Sequence, residues 1–107
     1  MERLTVGNAL VALNGHSEPF IKLFSHGSLE VEIYKPDKVD TQTPHSRDEV
    51  YVDASDSGYF VNGDSRQKFE SGEVLFVAAE VEHRFEEFTD DFATWVVFYG
   101  PEGGEAE

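Results

Sequence analysis

Residues Gln42 to Val52 read QTPHSRDEVYV, and two incompatible local structures compete for them. In one, Thr43 caps a helix with Pro44 at its first position and Asp48 and Glu49 early in it. In the other, His45 ends one strand, Ser46, Arg47 and Asp48 turn, and Glu49 begins the next. The helical reading must carry Val50, Tyr51 and Val52 in succession, then runs into DASDSG without an apolar stripe. Adjacent β-branched and aromatic residues suit a pleated strand better, so the stretch reads as strand, turn, strand.

The same signal extends in both directions. PFIKLF and LEVEIY are alternating runs joined through SHGS, with Gly27 at a hairpin turn. EVYVDAS continues the opening stretch, and GYFVNGDSRQKF reads as a second hairpin with Asn62-Gly63 at its tip. Gly72 precedes EVLFVAA, residues 82–85 make a short strand, and ATWVVFY is the last and most apolar run before Gly100-Pro101. TWVVF is apolar at both parities, which predicts cover on both faces of that strand. Near the N-terminus, Ala9, Leu10 and Leu13 follow Asn8, a possible cap for one short helical turn. About eight short strands spaced by about ten residues predict an all-β sandwich or closed barrel.

The bulk properties bound what such a domain does. A chain of 107 residues without internal repeat or linker predicts a single domain spanning 1–107. Its net charge of −14, from 22 acidic and 8 basic residues, argues against nucleic-acid and anionic-membrane partners. The acids read as a self-repelling surface and a solvated tail, EGGEAE; a basic protein partner has only the charge in its favour. Without cysteine there is no disulfide framework, thiolate metal site or thiol nucleophile. The first residues lack a basic segment followed by an apolar one, and no apolar run suffices to span a membrane. A cytoplasmic protein is the expectation.

The order of these elements, with His45, Glu49, Gly72 and His83 placed as they are, resembles the cupin superfamily of small double-stranded β-helix (jelly-roll) barrels. Its first motif runs G-x5-H-x-H-x3,4-E-x6-G and its second G-x5-P-x-G-x2-H-x3-N. His45 and Glu49 fall on the second His and the Glu of the first motif, and His83 on the His of the second, with ten residues between it and Gly72, the same spacing as the motif. The departures are Thr43 at the first His, Asp56 at the closing Gly, Ala78 at the Pro, Glu80 at the Gly and Glu87 at the Asn. Asp56 is compatible with a left-handed turn. The resemblance implies a barrel core over about 20–100, with an acidic tail at 101–107.

It also implies a metal site of His45, Glu49 and His83, with Gln42 as a weak fourth ligand or Thr43 as a hydroxyl donor. Two imidazoles and a carboxylate suit a divalent transition ion such as Fe, Mn, Ni or Zn. Each residue has a plainer reading as well: His45 as a turn residue facing Asp48, His83 as a half-buried strand histidine. His26 reads as a hairpin residue and His16 as a loop residue. Alternation from Glu49 and His83 sends Tyr51, Asp53 and Phe85 inward, which predicts Tyr51, Phe85, Thr43 and Asp53 as pocket lining. Two functions follow. One is a cupin enzyme acting on a small organic molecule, a metal oxygenase or isomerase among the options; the other is a non-catalytic sensor or storage module. The doubly apolar last strand, with the resemblance, predicts a homodimer.

Overall fold

Alternation, and not length, decides the architecture. A computed structural model describes residues 3–106. Within them lie one helix, α1 (Val6–Leu13), and strands β1 (Phe20–His26), β2 (Leu29–Tyr34), β3 (Asp48–Ser55) and β4 (Gly58–Asn62). They are followed by β5 (Ser65–Phe69), β6 (Val74–Val77), β7 (His83–Glu86) and β8 (Ala93–Tyr99). The strands form two antiparallel sheets, a five-stranded one in the order β1-β2-β8-β3-β6 and a three-stranded one in the order β5-β4-β7. This is the expected jelly-roll barrel.

The core lies between the sheets. Tyr34, Tyr51, Val77 and Val96 point inward from the larger sheet to meet Phe60, Phe69 and Phe85 from the smaller one, with Phe92 closing the end. Phe85 is the hub: its ring centroid lies 4.8 Å from those of Phe60 and Phe92, 4.9 Å from Tyr51 and 5.4 Å from Phe69. Such tilted and edge-on pairs contribute about 0.5–1.5 kcal/mol each beyond area burial.

The outer face of the larger sheet is apolar too, because β3 and β8 alternate between two hydrophobic sets. Val52 and Trp95 pair across it, as do Val50 and Val97. Helix α1 covers one end, where Ala9 and Leu13 pack on Ile33, Ala93 and Trp95. The last strand is thus buried on its inner face at Thr94 and Val96, half-buried there at Phe98, and covered on its outer face at the helix end. Val74 and Phe76 of the edge strand β6 remain exposed. No helix among the described residues is long and apolar enough to cross a membrane.

Several local expectations move. The helix is capped by Thr5, not Asn8: the Thr5 hydroxyl accepts from the Asn8 backbone N–H at 3.1 Å, and the Thr5 carbonyl takes Ala9. Asn62 pairs with Ser65, so the tip of that hairpin is Gly63-Asp64, one residue later than expected. The strand at 82–85 is 83–86. His45 ends no strand; it lies in the irregular segment before β3, whose first residue is Asp48.

The tail is not simply solvated. Its side chains are largely exposed, but Gly103 donates to the Ser46 carbonyl and Glu105 to the Asp48 carboxylate, which also accepts from Ala79. Those two backbone N–H groups hold the Asp48 carboxyl below the ordinary aspartate range. At the positions where the resemblance places glycine, Asp56 (φ 66) and Glu80 (φ 69) adopt the left-handed conformation despite their side chains.

Candidate metal centre and its cavity

Three elements bring the site together. Glu49 is the second residue of β3 and points inward, His83 opens β7 in the opposite sheet, and His45 comes from the loop between them in space. That loop is tied down from both sides. The His45 carbonyl accepts from Glu80 at 2.7 Å, and the Arg47 guanidinium reaches the Gly100 carbonyl at 3.0 Å, Glu30 at 2.8 Å and the Ser28 carbonyl. Edge-on contact with Phe98, 5.1 Å between centroids, orients the His45 ring.

Both imidazoles converge on one oxygen. His45 Nδ1 lies 2.9 Å and His83 Nε2 lies 2.8 Å from Glu49 Oε1. The candidate ligand atoms of all three residues fall within 4.8 Å of one another. On its other side, His83 Nδ1–H donates to the Val81 carbonyl at 2.8 Å. In a neutral ring this places the lone pair on Nε2, facing the site, the orientation found for metal-ligating histidines.

Hydrogen bonding leaves the set incomplete. Glu49 and His83 have almost no exposed side-chain surface, yet Glu49 Oε2 and His83 Nε2 have no hydrogen-bond partner. The 2.8 Å approach of Nε2 to Oε1 suits an ion pair by distance, while the ring N–H direction misses hydrogen-bond geometry. An orphaned buried carboxylate oxygen is destabilising by more than the ~1–3 kcal/mol of a neutral group. Burial pushes Glu49 up and His83 down, but the attraction between Glu49 and the two imidazoles outweighs it. Glu49 is held below the ordinary glutamate range and His83 above the ordinary imidazole. A buried anion between two nitrogen donors, with a free oxygen, fits a divalent cation of the transition series.

Beside the site lies a cavity of about 400 Å³, lined by His45, Glu49, Gln42, Tyr51, Tyr34 and Glu32, with Pro19, Phe20, Val96 and Phe98 as apolar walls and Glu18 and Thr41 at its edge. The volume falls in the range of small-molecule sites. His83 is not among the lining residues; it backs Glu49 from behind. Of the expected pocket residues, Tyr51 lines the cavity, and Thr43, Phe85 and Asp53 do not. Thr43 is exposed, Phe85 is enclosed by other aromatic rings, and Asp53 lies farther along β3. Asp53 is 3% exposed, and burial, with repulsion from Asp56 and Glu73 against one N–H from Ser55, raises its pKa to about 7.

Gln42 lies on the wall, but its side-chain oxygen accepts the Tyr51 hydroxyl at 3.0 Å and its NH2 donates to Asp40 at 2.6 Å. Asp40 was not singled out by sequence. It is buried and also accepts from the Tyr34 hydroxyl at 2.6 Å and from the Phe85 backbone N–H at 2.9 Å, so it fastens the β2–β3 connection to β7. Burial foremost, with the neighbouring acids, pushes both Tyr34 and Tyr51 above the ordinary phenol value, so both present neutral hydroxyls. Glu32 and Glu18 were likewise missed. Glu32 is raised from the ordinary glutamate value by burial and by Glu30 and Glu49, against the opposing pull of His45 and Lys22.

No protein-family model matches the chain. The uncharacterized protein SCO3923 of Streptomyces coelicolor is 31% identical over 85 residues, covering 78% of this chain and 81% of that one. A cupin 2 conserved barrel domain protein from Salinispora arenicola superposes with a TM-score of 0.69 at 17% identity, over 94% of this chain and 89% of its own. A structure from a study of the DMSP lyases RdDddP and RnDddQII superposes with a TM-score of 0.67 at 20% identity, over 78% of this chain and 47% of its own.

Proposed function

The chain has the fold of the cupin barrels, and from that premise we propose that it is a metal-binding member of the cupin superfamily that takes a small organic molecule in the cavity beside His45 and Glu49. Glu49 and the nitrogens of His45 and His83 would hold a divalent transition ion, and Gln42 is a weak fourth candidate whose oxygen is already taken by Tyr51. The observation that carries the reading is the orphaned Glu49 Oε2 beside two imidazoles, one locked by Val81 with Nε2 toward the site. When bound, such an ion supplies Lewis acidity to an oxygen of the ligand or a site for dioxygen.

The protein's own groups do the rest. Val81 and Phe98 orient the two imidazoles, and the Asp40–Gln42–Tyr51 chain of hydrogen bonds fixes one polar wall. The apolar side chains of Val96 and Phe98 form part of the other wall. A cupin-fold likeness to a DMSP lyase supports chemistry on this scaffold without selecting a reaction. A non-catalytic sensor or storage module uses the same residues, and turnover separates the two: consumption of a bound compound marks the enzyme.

Elemental analysis of wild type beside His83→Ala and Glu49→Gln tests the metal reading. Wild type is expected to carry up to one ion per chain and both variants far less; equal content in all three contradicts it. The proposal includes a homodimer formed through the outer sheet face, where Val74 and Phe76 are exposed and Val50 and Val97 half-buried. Light scattering is expected to show a dimer at moderate salt, which screens the −14 on each chain; a monomer at high concentration refutes that part. A cytoplasmic location completes the reading, and recovery in the membrane fraction of lysed cells contradicts it.

A further inference from the structure

The cavity's charge selects its occupant. Three carboxylates, from Glu18, Glu32 and Glu49, line it, and no lysine or arginine does. Glu32 points into it from the middle of β2, on the same face of the strand as Tyr34. Basic side chains are close by but are spent elsewhere: Lys22 and Arg47 both pair with Glu30, one inward position earlier, and Glu32 forms no ion pair among the described residues. Glu49, fully buried at the same cavity, keeps one oxygen without a partner.

We infer that the ligand is a small organic amine, bound as its cation with the ammonium group at Glu32 and an apolar body against Phe98 and Val96. The inference rests on the small-molecule cupin reading above and narrows it to a chemical class. An anionic ligand would meet three carboxylates, with no lysine or arginine on the lining to receive it, in a partly desolvated site where like charges are strongly disfavoured. A cation there relieves the burial of Glu32, whose ionised form the surroundings already oppose. Even with a divalent ion held by the neutral imidazoles and Glu49, Glu32 and Glu18 keep the distal part of the cavity negative. Phe20, Phe98 and Tyr34 also line the cavity, and aromatic rings attract cations.

Three probes with one ring and different charge test it: benzylamine, benzyl alcohol and benzoate. Calorimetric titration is done on wild type, Glu32→Gln and Glu32→Asp, with the metal content of each sample measured in parallel. Wild type is expected to prefer benzylamine over benzoate by at least about tenfold. Glu32→Gln is expected to lose most of that preference and Glu32→Asp to keep it, with metal content unchanged in both. Benzoate binding as tightly as benzylamine, an unchanged preference in Glu32→Gln, or no binding of benzylamine to wild type overturns the inference. Amine preference in protein free of metal would uphold it while removing the metal reading; metal without amine preference would remove it alone.

Discussion

Replacing Asp53 with Asn converts one buried carboxyl into a neutral group of the same shape, and the consequence for stability is calculable. Asp53 Oδ1 accepts from the Ser55 N–H at 3.2 Å, which an Asn oxygen also does, while Oδ2 is buried without a partner. In the unfolded chain an aspartate ionises near 3.8, whereas burial first, then Asp56 and Glu73, raises the folded value to about 7. Below the unfolded value the group is neutral in both states and adds no penalty. From there up to about 7 the unfolded chain loses its proton and the folded one keeps it, so stability falls as pH rises. At roughly 1.36 kcal/mol per pH unit the loss has an upper bound of about 4 kcal/mol, complete above the folded value. Other acids contribute slopes of both signs, Glu32 the same as Asp53 and Asp48 and Glu49 the opposite, so the difference between wild type and Asp53→Asn is the readout. Urea denaturation at pH 4, 6 and 8 should give near-equal stabilities at pH 4 and an increasing advantage for the variant, reaching a few kcal/mol at pH 8. Parallel pH profiles for the two proteins would refute the assignment of Asp53 as a buried, unpaired carboxyl.

Glu80→Gly removes a side chain from a residue at φ 69. Relief of about 1–2 kcal/mol of left-handed strain, less the unfolded-state entropy of glycine, should leave a net gain of about 0.5–1 kcal/mol in thermal denaturation; a loss would place the Glu80 side chain in a stabilising contact. Phe85→Ala should lose about 3–5 kcal/mol by denaturant titration because the ring is enclosed by four others; a loss below about 1 kcal/mol would return Phe85 to a pocket wall. In Gly104→Ala the new Cβ would meet Asp48 Oδ1 at 2.9 Å and Ala79 Cβ at 3.1 Å, at φ +91. The tail should lift, with faster hydrogen exchange at Gly103 and Glu105 and weaker metal retention through the His45 loop; unchanged exchange would mean that the tail does not brace that loop.

Local chemistry explains which features were legible in the sequence. Strand count, the Gly27 hairpin and the inward alternation of Glu49 and Tyr51 follow from period-two patterning, which needs no knowledge of partners. Asp56 was readable because a short polar side chain tolerates the left-handed conformation; Glu80 adopts the same conformation at a motif position where no such allowance was apparent. The convergence of His45, Glu49 and His83 was reached through resemblance, since nothing local links residues that far apart. Asp40 was invisible for a related reason: its decisive partner, the Phe85 N–H, lies 45 residues away. Thr5 and Asn8 are both capping types, and only the first helical hydrogen bonds choose between them. The pocket was misdrawn because inward alternation marks every core residue alike. Tyr51 meets the cavity, whereas Phe85 meets other rings and Asp53 lies too far along the strand.

Anomalous diffraction from crystals of protein loaded with a single transition metal, recorded at that metal's absorption edge, locates the ion directly. The expected result is one strong peak within bonding distance of Glu49, His45 and His83 Nε2. A peak elsewhere on the surface, with His83 and Glu49 still in direct contact, would contradict the central claim.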